Sequence, residues 1–383
     1  MTTNMKPRER VRCAMEFNET DRIPTAIGGG PYGIVDDLYL GLLDYFSLGS
    51  PVEPFREGHN ISFMDDRVLA ALNTDFRYVY PTLSPSSPFK QFGEPDTFQD
   101  AFGQDWKRVK PYYYAGKGIL SEIASEDQID ELVSWPDPAD NIWFSKTRAR
   151  AKLLRESTDF WVTARMVVSH GPLQYASDLR GMENLLMDMI MDPAQATTLL
   201  NKIGDVYCGL YAHYMKACGQ YIDMIELPGD DYAGNQNLII SPAMFRQFIK
   251  PVITRMVETI RNYREDIKIM LHSDGAITKI IPDLIDVGID VLHPLEPLPA
   301  TDQKAVKKEY RNKLVFLGGV NITQALQGKK EAVINEVQRV LEALAPGSGF
   351  IFAPSNHLQT DIPPENVALL FETAQTESQS SSG

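Results

Sequence analysis

One pattern constrains this chain more than any other: short apolar runs alternate with helical stretches along its length. Eight runs carry strand character, at residues 24–27, 76–80, 160–168, 222–226, 267–272, 289–293, 314–318 and 349–353. Most are followed by helical periodicity or a helix-start signal. Asp192-Pro193 and Ser241-Pro242 each join a capping side chain to a proline at the first helical position, where a missing N–H leaves no bond unmade. Strands covered on both faces read as unbroken apolar runs, and their alternation with helices implies a parallel sheet wrapped by helices. Eight such units predict an α/β fold of the TIM (β/α)8 barrel type. The periodicity alone also allows a doubly wound open sheet.

The remainder of the chain fits around that barrel. Residues 1–372 read as one domain, with residues 1–22 a helical N-terminal extension. Residues 81–145 hold many Pro, Ser and Gly, together with Trp106 and Tyr112-Tyr113-Tyr114, and read as an insertion or lid after the second strand. A small hairpin is expected near Phe102–Val109. The polar tail, residues 373–383, is expected to be disordered.

Bulk properties exclude several classes. A net charge of −14 argues against a surface that binds a phosphate backbone, hence against nucleic acid. The three cysteines, Cys13, Cys208 and Cys218, show no CxxC spacing and suit a reducing cytoplasm. The N-terminus has no apolar signal core, and no run approaches the ~20 apolar residues of a membrane span. A soluble cytoplasmic protein is expected, with a homodimer as the default assembly.

In a TIM barrel the working face lies at the C-terminal strand ends. Of the six histidines, His170, His272, His293 and His357 fall at such ends, and His59 sits in a polar loop near the same face. His213, mid-helix, reads as structural. The run Ile267–Gly275 is central: a buried strand ends in His-Ser-Asp-Gly. His272 and Asp274, two residues apart, leave the strand toward one side.

Three chemistries could use this face. A divalent metal, with zinc the first choice, would draw on Glu226, His272, Asp274 and His357, whose nitrogen and oxygen donors suit an open catalytic site. Without metal, His272 and Asp274 would bond substrate or each other. Acid–base work would draw on Asp230 and Asp231 beside Tyr232, since neighbouring carboxylates push one pKa up; otherwise one Asp caps the loop and the other is solvated. Anion recognition would draw on arginines, Arg165 above all, because it interrupts an apolar strand. A structural pair between Arg165 and Glu226 is the alternative. The catalytic candidates are thus His272, Asp274, Asp231 and Tyr232. The substrate contacts are His59, Tyr80, Arg165, His170, Asp230, Asn321 and Asn356.

The runs HSDGAITKIIPDLIDVGIDVLHPLEP, KLVFLGGVN and GSGFIFAPSNHLQTDIPPENV, with MDPAQATTLL and LIISPAMFRQFIKP, resemble the C-terminal half of the uroporphyrinogen decarboxylase superfamily. The resemblance covers about residues 160–372 and implies a TIM barrel with an N-terminal extension. True uroporphyrinogen decarboxylases carry an arginine-bearing segment after the first strand, which binds propionates. Here that place reads Ile27-Gly28-Gly29-Gly30-Pro31-Tyr32-Gly33, without arginine. The other branch is similar to methyltransferases that work with corrinoid proteins and bind zinc through His-x-Cys after the fifth strand and a Cys after the eighth. The matching positions are His272-x-Asp274 and the Asn356-His357 region, with both cysteines replaced. The resemblance implies methyl transfer between a small molecule (methyl ether, alcohol or tetrahydrofolate type) and a corrinoid (cobalamin) on a partner protein. No Asp-x-His-x-x-Gly cobalamin motif is present. A cofactor-independent decarboxylase is the alternative.

Overall fold

The computed structural model describes residues 4–380, apart from 53–60, 62, 82–96, 110–111, 124, 140–143 and 145. The barrel begins with β1 (Phe76–Val79). The insertion contributes β2 (Thr97–Gln99), β3 (Asp105–Val109) and β4 (Tyr112–Ala115). The barrel then resumes with β5 (Trp161–Ala164), β6 (Met224–Glu226), β7 (Lys268–His272), β8 (Val291–His293), β9 (Val315–Leu317) and β10 (Phe350–Ile351). Seven strands form one sheet in the order β1-β5-β6-β7-β8-β9-β10, every pair parallel. Their side chains are buried on both faces apart from half-exposed Lys268, which is why they read as continuous apolar runs.

The eighth unit closes the barrel with a single bridge, Thr25 to Phe352. Ala26 N donates to Phe352 O (2.9 Å) and Phe352 N to Pro24 O (2.9 Å). On the other side Asp75 N donates to Thr25 O (3.0 Å). The predicted strand 24–27 therefore exists as a seam between the two edge strands. It is short because Gly28, at φ +99°, turns the chain away at once.

Asp75 pins the N-terminal extension to that seam. Its carboxylate is fully buried and accepts from Arg10 Nη1 (2.5 Å), Arg22 Nη1 (2.8 Å) and Thr25 N (2.9 Å). A buried charge of this kind persists only when paired on all sides. Arg10 in turn grips Asp21 at 2.6 Å, so the helix Pro7–Met15 is locked against the barrel.

The insertion forms a three-stranded antiparallel sheet, β2-β3-β4. Asp100 organises it, accepting from Phe102 N (3.0 Å), Gln104 N (3.0 Å), Trp106 Nε1 (2.8 Å) and the Tyr175 hydroxyl (2.5 Å). The last bond fastens the insertion to the helix after β5. Tyr112 and Gln359 join it to the loop after β10.

Two local expectations need correction, and one helix is added. The helix Pro172–Arg180, which the sequence pattern does not mark, precedes the helix Met182–Met191, and Gly181, at φ +86°, separates them. The helix from Ser241 contains one π turn at Phe245–Ile249. The tail expected to be disordered from residue 373 is helical, within Pro364–Ser380. Its polar residues hide a buried face: Gln375 Nε2 donates to Leu72 O (3.0 Å), Asn73 O (3.1 Å) and Thr25 Oγ1 (3.3 Å), and Ser378 Oγ accepts from Ile23 N (3.2 Å).

Candidate active site

Parallel register sets His272, at the end of β7, directly beside His293, at the end of β8. Their Nδ1 atoms lie 2.8 Å apart, so one hydrogen sits between them. His293 Nε2 is 3.0 Å from Pro354 O. A carbonyl only accepts, so His293 Nε2 carries the hydrogen. His293 is fully buried, and burial together with the His272 ring holds its pKa far below the usual histidine value, so the ring is neutral. Its Nδ1 therefore accepts, and His272 Nδ1–H donates. In its neutral form the His272 ring then has its lone pair on Nε2, on the side of Asp231 and Asp274.

Two carboxylates face that lone pair. Asp274 Oδ2 lies 3.8 Å from His272 Nε2 and Asp231 Oδ1 4.0 Å, both beyond hydrogen-bond reach. Asp274 N donates to Asp231 Oδ1 (3.0 Å), which ties the loop after β6 to the loop after β7. Asn356 Nδ2 donates to Asp274 Oδ2 at 2.5 Å, and Glu296 Oε2 accepts from Gly275 N at 2.8 Å. Gly275, at φ +88°, allows this turn, since a Cβ there would stand 2.4 Å from Ala233 O. Burial raises the Asp274 pKa to about 6, against the pull of His272 and with the push of Asp231 and Glu296. Its Oδ1 is buried and has no partner among the described residues.

These features fit a divalent cation. One donor atom each from Asp231, His272 and Asp274 lie within 4.8 Å of one another. A neutral imidazole nitrogen whose other nitrogen is fixed by a second hydrogen bond is the usual form of a histidine ligand. The set of one nitrogen and two carboxylates suits zinc and harder divalent ions, with further positions open.

The other candidate residues fall into separate places. Glu226 does not join the cluster: its carboxylate accepts from Gly30 N (2.8 Å) and the Tyr32 hydroxyl (3.1 Å) inside the barrel. Gly30 permits this approach, because a Cβ would stand 2.6 Å from Glu226 Oε2. His357 also lies apart from the three, with Nδ1 accepting from Gly33 N at 3.0 Å. Tyr232 does not reach the mouth. It is fully buried, its ring packs on Phe245 at 5.1 Å, and its N–H donates to Ser273 Oγ (3.1 Å). Asp230, also buried, caps the helix after β5 by accepting from Leu173 N (2.9 Å) and Gln174 N (2.7 Å). Burial still raises its pKa to about 7 against those bonds. Asp230 and Asp231 thus divide as buried cap and half-exposed carboxylate.

His170 pairs with Asp178 at 2.6 Å and lies 5.3 Å from the Trp106 ring of the insertion. Burial disfavours its charged form, but the Asp178 bond and charge outweigh this and raise its pKa. Tyr80, at the end of β1, stacks on Phe63 with ring centroids 3.4 Å apart. Asn321 Oδ1 caps its own loop through Thr323 N (3.0 Å), away from the cluster. His59 lies outside the described residues. The roles of His293 as partner to His272 and of Glu296 were not assigned from sequence. His293 carried a signal, its place at a strand end; Glu296 carried none.

The family model for uroporphyrinogen decarboxylase (URO-D) matches residues 118–377. A Chlorobium limicola protein named uroporphyrinogen decarboxylase is 25% identical over 193 residues, 50% of this chain and 51% of that protein, so the chain spans about half of that relative's length. A Psychromonas ingrahamii protein of the same name is 22% identical over 285 residues, 70% of this chain and 73% of that protein. Among solved structures, a methyltransferase from Methanosarcina mazei superposes with TM-score 0.67 at 17% identity, over 97% of this chain and 99% of that one. That likeness shows the fold, a TIM-type barrel. With the family model spanning most of the barrel, the chain belongs to the uroporphyrinogen decarboxylase family.

Proposed function

We propose that this protein is a methyltransferase that moves a methyl group between a small molecule and a corrinoid carried by a separate protein. The observation that carries the reading is the placement of His272 Nε2 beside the carboxylates of Asp231 and Asp274, with Nδ1 held by His293. These three residues would hold the metal, zinc or a harder divalent ion. When bound, such an ion supplies Lewis acidity toward an oxygen of the methyl-bearing or methyl-accepting group. An oxygen-rich ligand set favours ether, alcohol or tetrahydrofolate partners over thiols. Asn356 and the Asp274 N–H bond hold the two carboxylates in place. The partner with the corrinoid would approach the open mouth beside half-exposed Asp231.

The name of the solved neighbour supports this reading, and so does the segment Ile27–Gly33. It is a glycine turn that wraps Glu226, with no arginine to hold propionates. Cofactor-independent decarboxylation is the second reading, favoured by the names of the two curated relatives. Free methylcobalamin, followed by its visible spectrum, separates the two. Methyl transfer is expected to be metal-dependent and to fall at least ~100-fold in His272→Ala, the scale seen when a metal centre and its polarisation are lost. Carbon dioxide release from uroporphyrinogen, with methylcobalamin unchanged, would establish the second reading instead.

A further inference from the structure

Arg165 differs from every other buried arginine described here. Arg10, Arg22, Arg77 and Arg180 each donate to named acceptors: Asp21 and Asp75, Asp75, backbone carbonyls, and Asp188. Arg165 is 3% exposed, yet among the described residues its guanidinium has neither a hydrogen-bond acceptor nor a carboxylate at ion-pair distance. Glu226, whose charge it feels most, is occupied by Gly30 N, the Tyr32 hydroxyl and Met166 N. Among the described residues its one close partner is the Phe63 ring, 5.1 Å from Arg165 Cζ. Five donors thus sit in a nearly buried position, with only residual contact with water and no acceptor among the described residues. Such a group persists where a ligand completes it, since an unpaired buried charge is costly.

Its position says what kind of ligand. Arg165 directly follows β5, at the C-terminal barrel face, and its N–H is held by Val79 O at 2.8 Å. Phe63 stacks on Tyr80 with an interplanar angle of 8°, which gives a flat apolar wall beside the guanidinium. His272 ends β7, two strands away in the sheet order, or about 10 Å along the wall. A planar fork of donors matches a carboxylate with two parallel bonds.

We propose that Arg165 anchors the carboxylate of a small, ring-sized acid whose reacting end lies at His272. Phe63 and Tyr80 cover the acid's apolar body. The inference rests on the methyl-transfer reading for the identity of the reacting end, and on Arg165 alone for the anion. The substrate class is then a methoxylated aromatic acid or an acid of similar length.

Binding tests this without turnover. Benzoate and 3- and 4-methoxybenzoate would be titrated calorimetrically against the matched carboxamides, using wild type and Arg165→Gln. Wild type is expected to prefer at least one carboxylate over its amide by about 10- to 100-fold, and Arg165→Gln to lose that preference. Thermal melting checks that the variant folds; if it does not, Arg165→Lys replaces it, with the preference reduced because the two-pronged geometry is gone. Equal binding of acids and amides by wild type, or a preference kept by a folded variant, would overturn the proposal. Carboxylate preference without methyl transfer from the same acids would sink the methyl-transfer reading and leave the anion site standing. Transfer from neutral methyl ethers, with no acid preference, would do the reverse.

Discussion

His272 and His293 share one hydrogen across 2.8 Å between their Nδ1 atoms, and the Pro354 carbonyl at the far end decides which ring gives it. This row of three groups thereby places a hydrogen on His272 Nδ1, while Nε2 faces Asp231 and Asp274. The arrangement follows from register: adjacent parallel strands end on paired histidines, so both rings project on the same side.

His293→Phe keeps the bulk beside Tyr32 but removes the acceptor for His272 Nδ1–H. Either nitrogen of His272 can then carry its hydrogen, and the donor facing the carboxylates is no longer assured. Metal affinity is expected to drop about 10- to 100-fold, as for other partners of ligand histidines. Competition with a chromophoric chelator measures it. Affinity within twofold of wild type would show that His293 only fills space.

Asp274 gives a signed pH dependence. Its folded pKa, about 6, lies above the ordinary carboxylate value of 3.8. The folded state therefore holds more protons between those values, and metal-free stability falls as pH rises through them. Relative to Asp274→Asn, the loss from pH 3.8 to above 6 is up to about 3 kcal/mol. Metal binding has the opposite slope, because the ionised carboxylate is the ligand. Chemical denaturation of both proteins, with and without metal, checks the two slopes. Parallel profiles for wild type and variant would contradict the assignment.

Asp75→Ala removes the carboxylate partner of Arg22 at the barrel seam and leaves Arg10 with the Asp21 carboxylate alone. The expected loss is about 3–5 kcal/mol. Denaturant midpoints measure it, and a change below ~1 kcal/mol would show that the seam repacks around water. Catalytic-site metal affinity is expected to stay unchanged, since the seam and the His272 cluster lie on different strands.

Asp100→Ala tests how the insertion is held. Trp106, Tyr175 and two backbone N–H groups lose their common acceptor. Proteolysis between residues 97 and 115 is expected to become much faster while the barrel persists. An unchanged cleavage rate would mean that the contacts of Tyr112 with Gln359 and of Trp106 with His170 suffice.

The barrel strands are legible in the sequence because both faces of each strand are buried, so few polar residues interrupt them. His272, Asp274 and Asp231 are legible as residue types at strand ends. Their grouping is not, because it depends on how the loops after β6 and β7 fold over one another through Asp274 N and Asp231. Glu226 and His357 carry the same outward signal and are drawn elsewhere by backbone N–H groups of the 28–33 turn, which periodicity does not see. The tail misleads by composition, since Gln375 and Ser378 are buried by hydrogen bonding and not by apolar character.

The proposed methyl transfer depends on His272, Asp231 and Asp274 holding a metal ion together. Elemental analysis after dialysis against zinc, manganese and iron(II) in turn tests it most directly, on wild type, His272→Ala and Asp231→Asn. The expected result is about one tightly held ion per wild-type chain for at least one metal, and loss of that ion in both variants without loss of fold. A wild-type protein that retains no ion, or variants that retain it fully, would contradict the account.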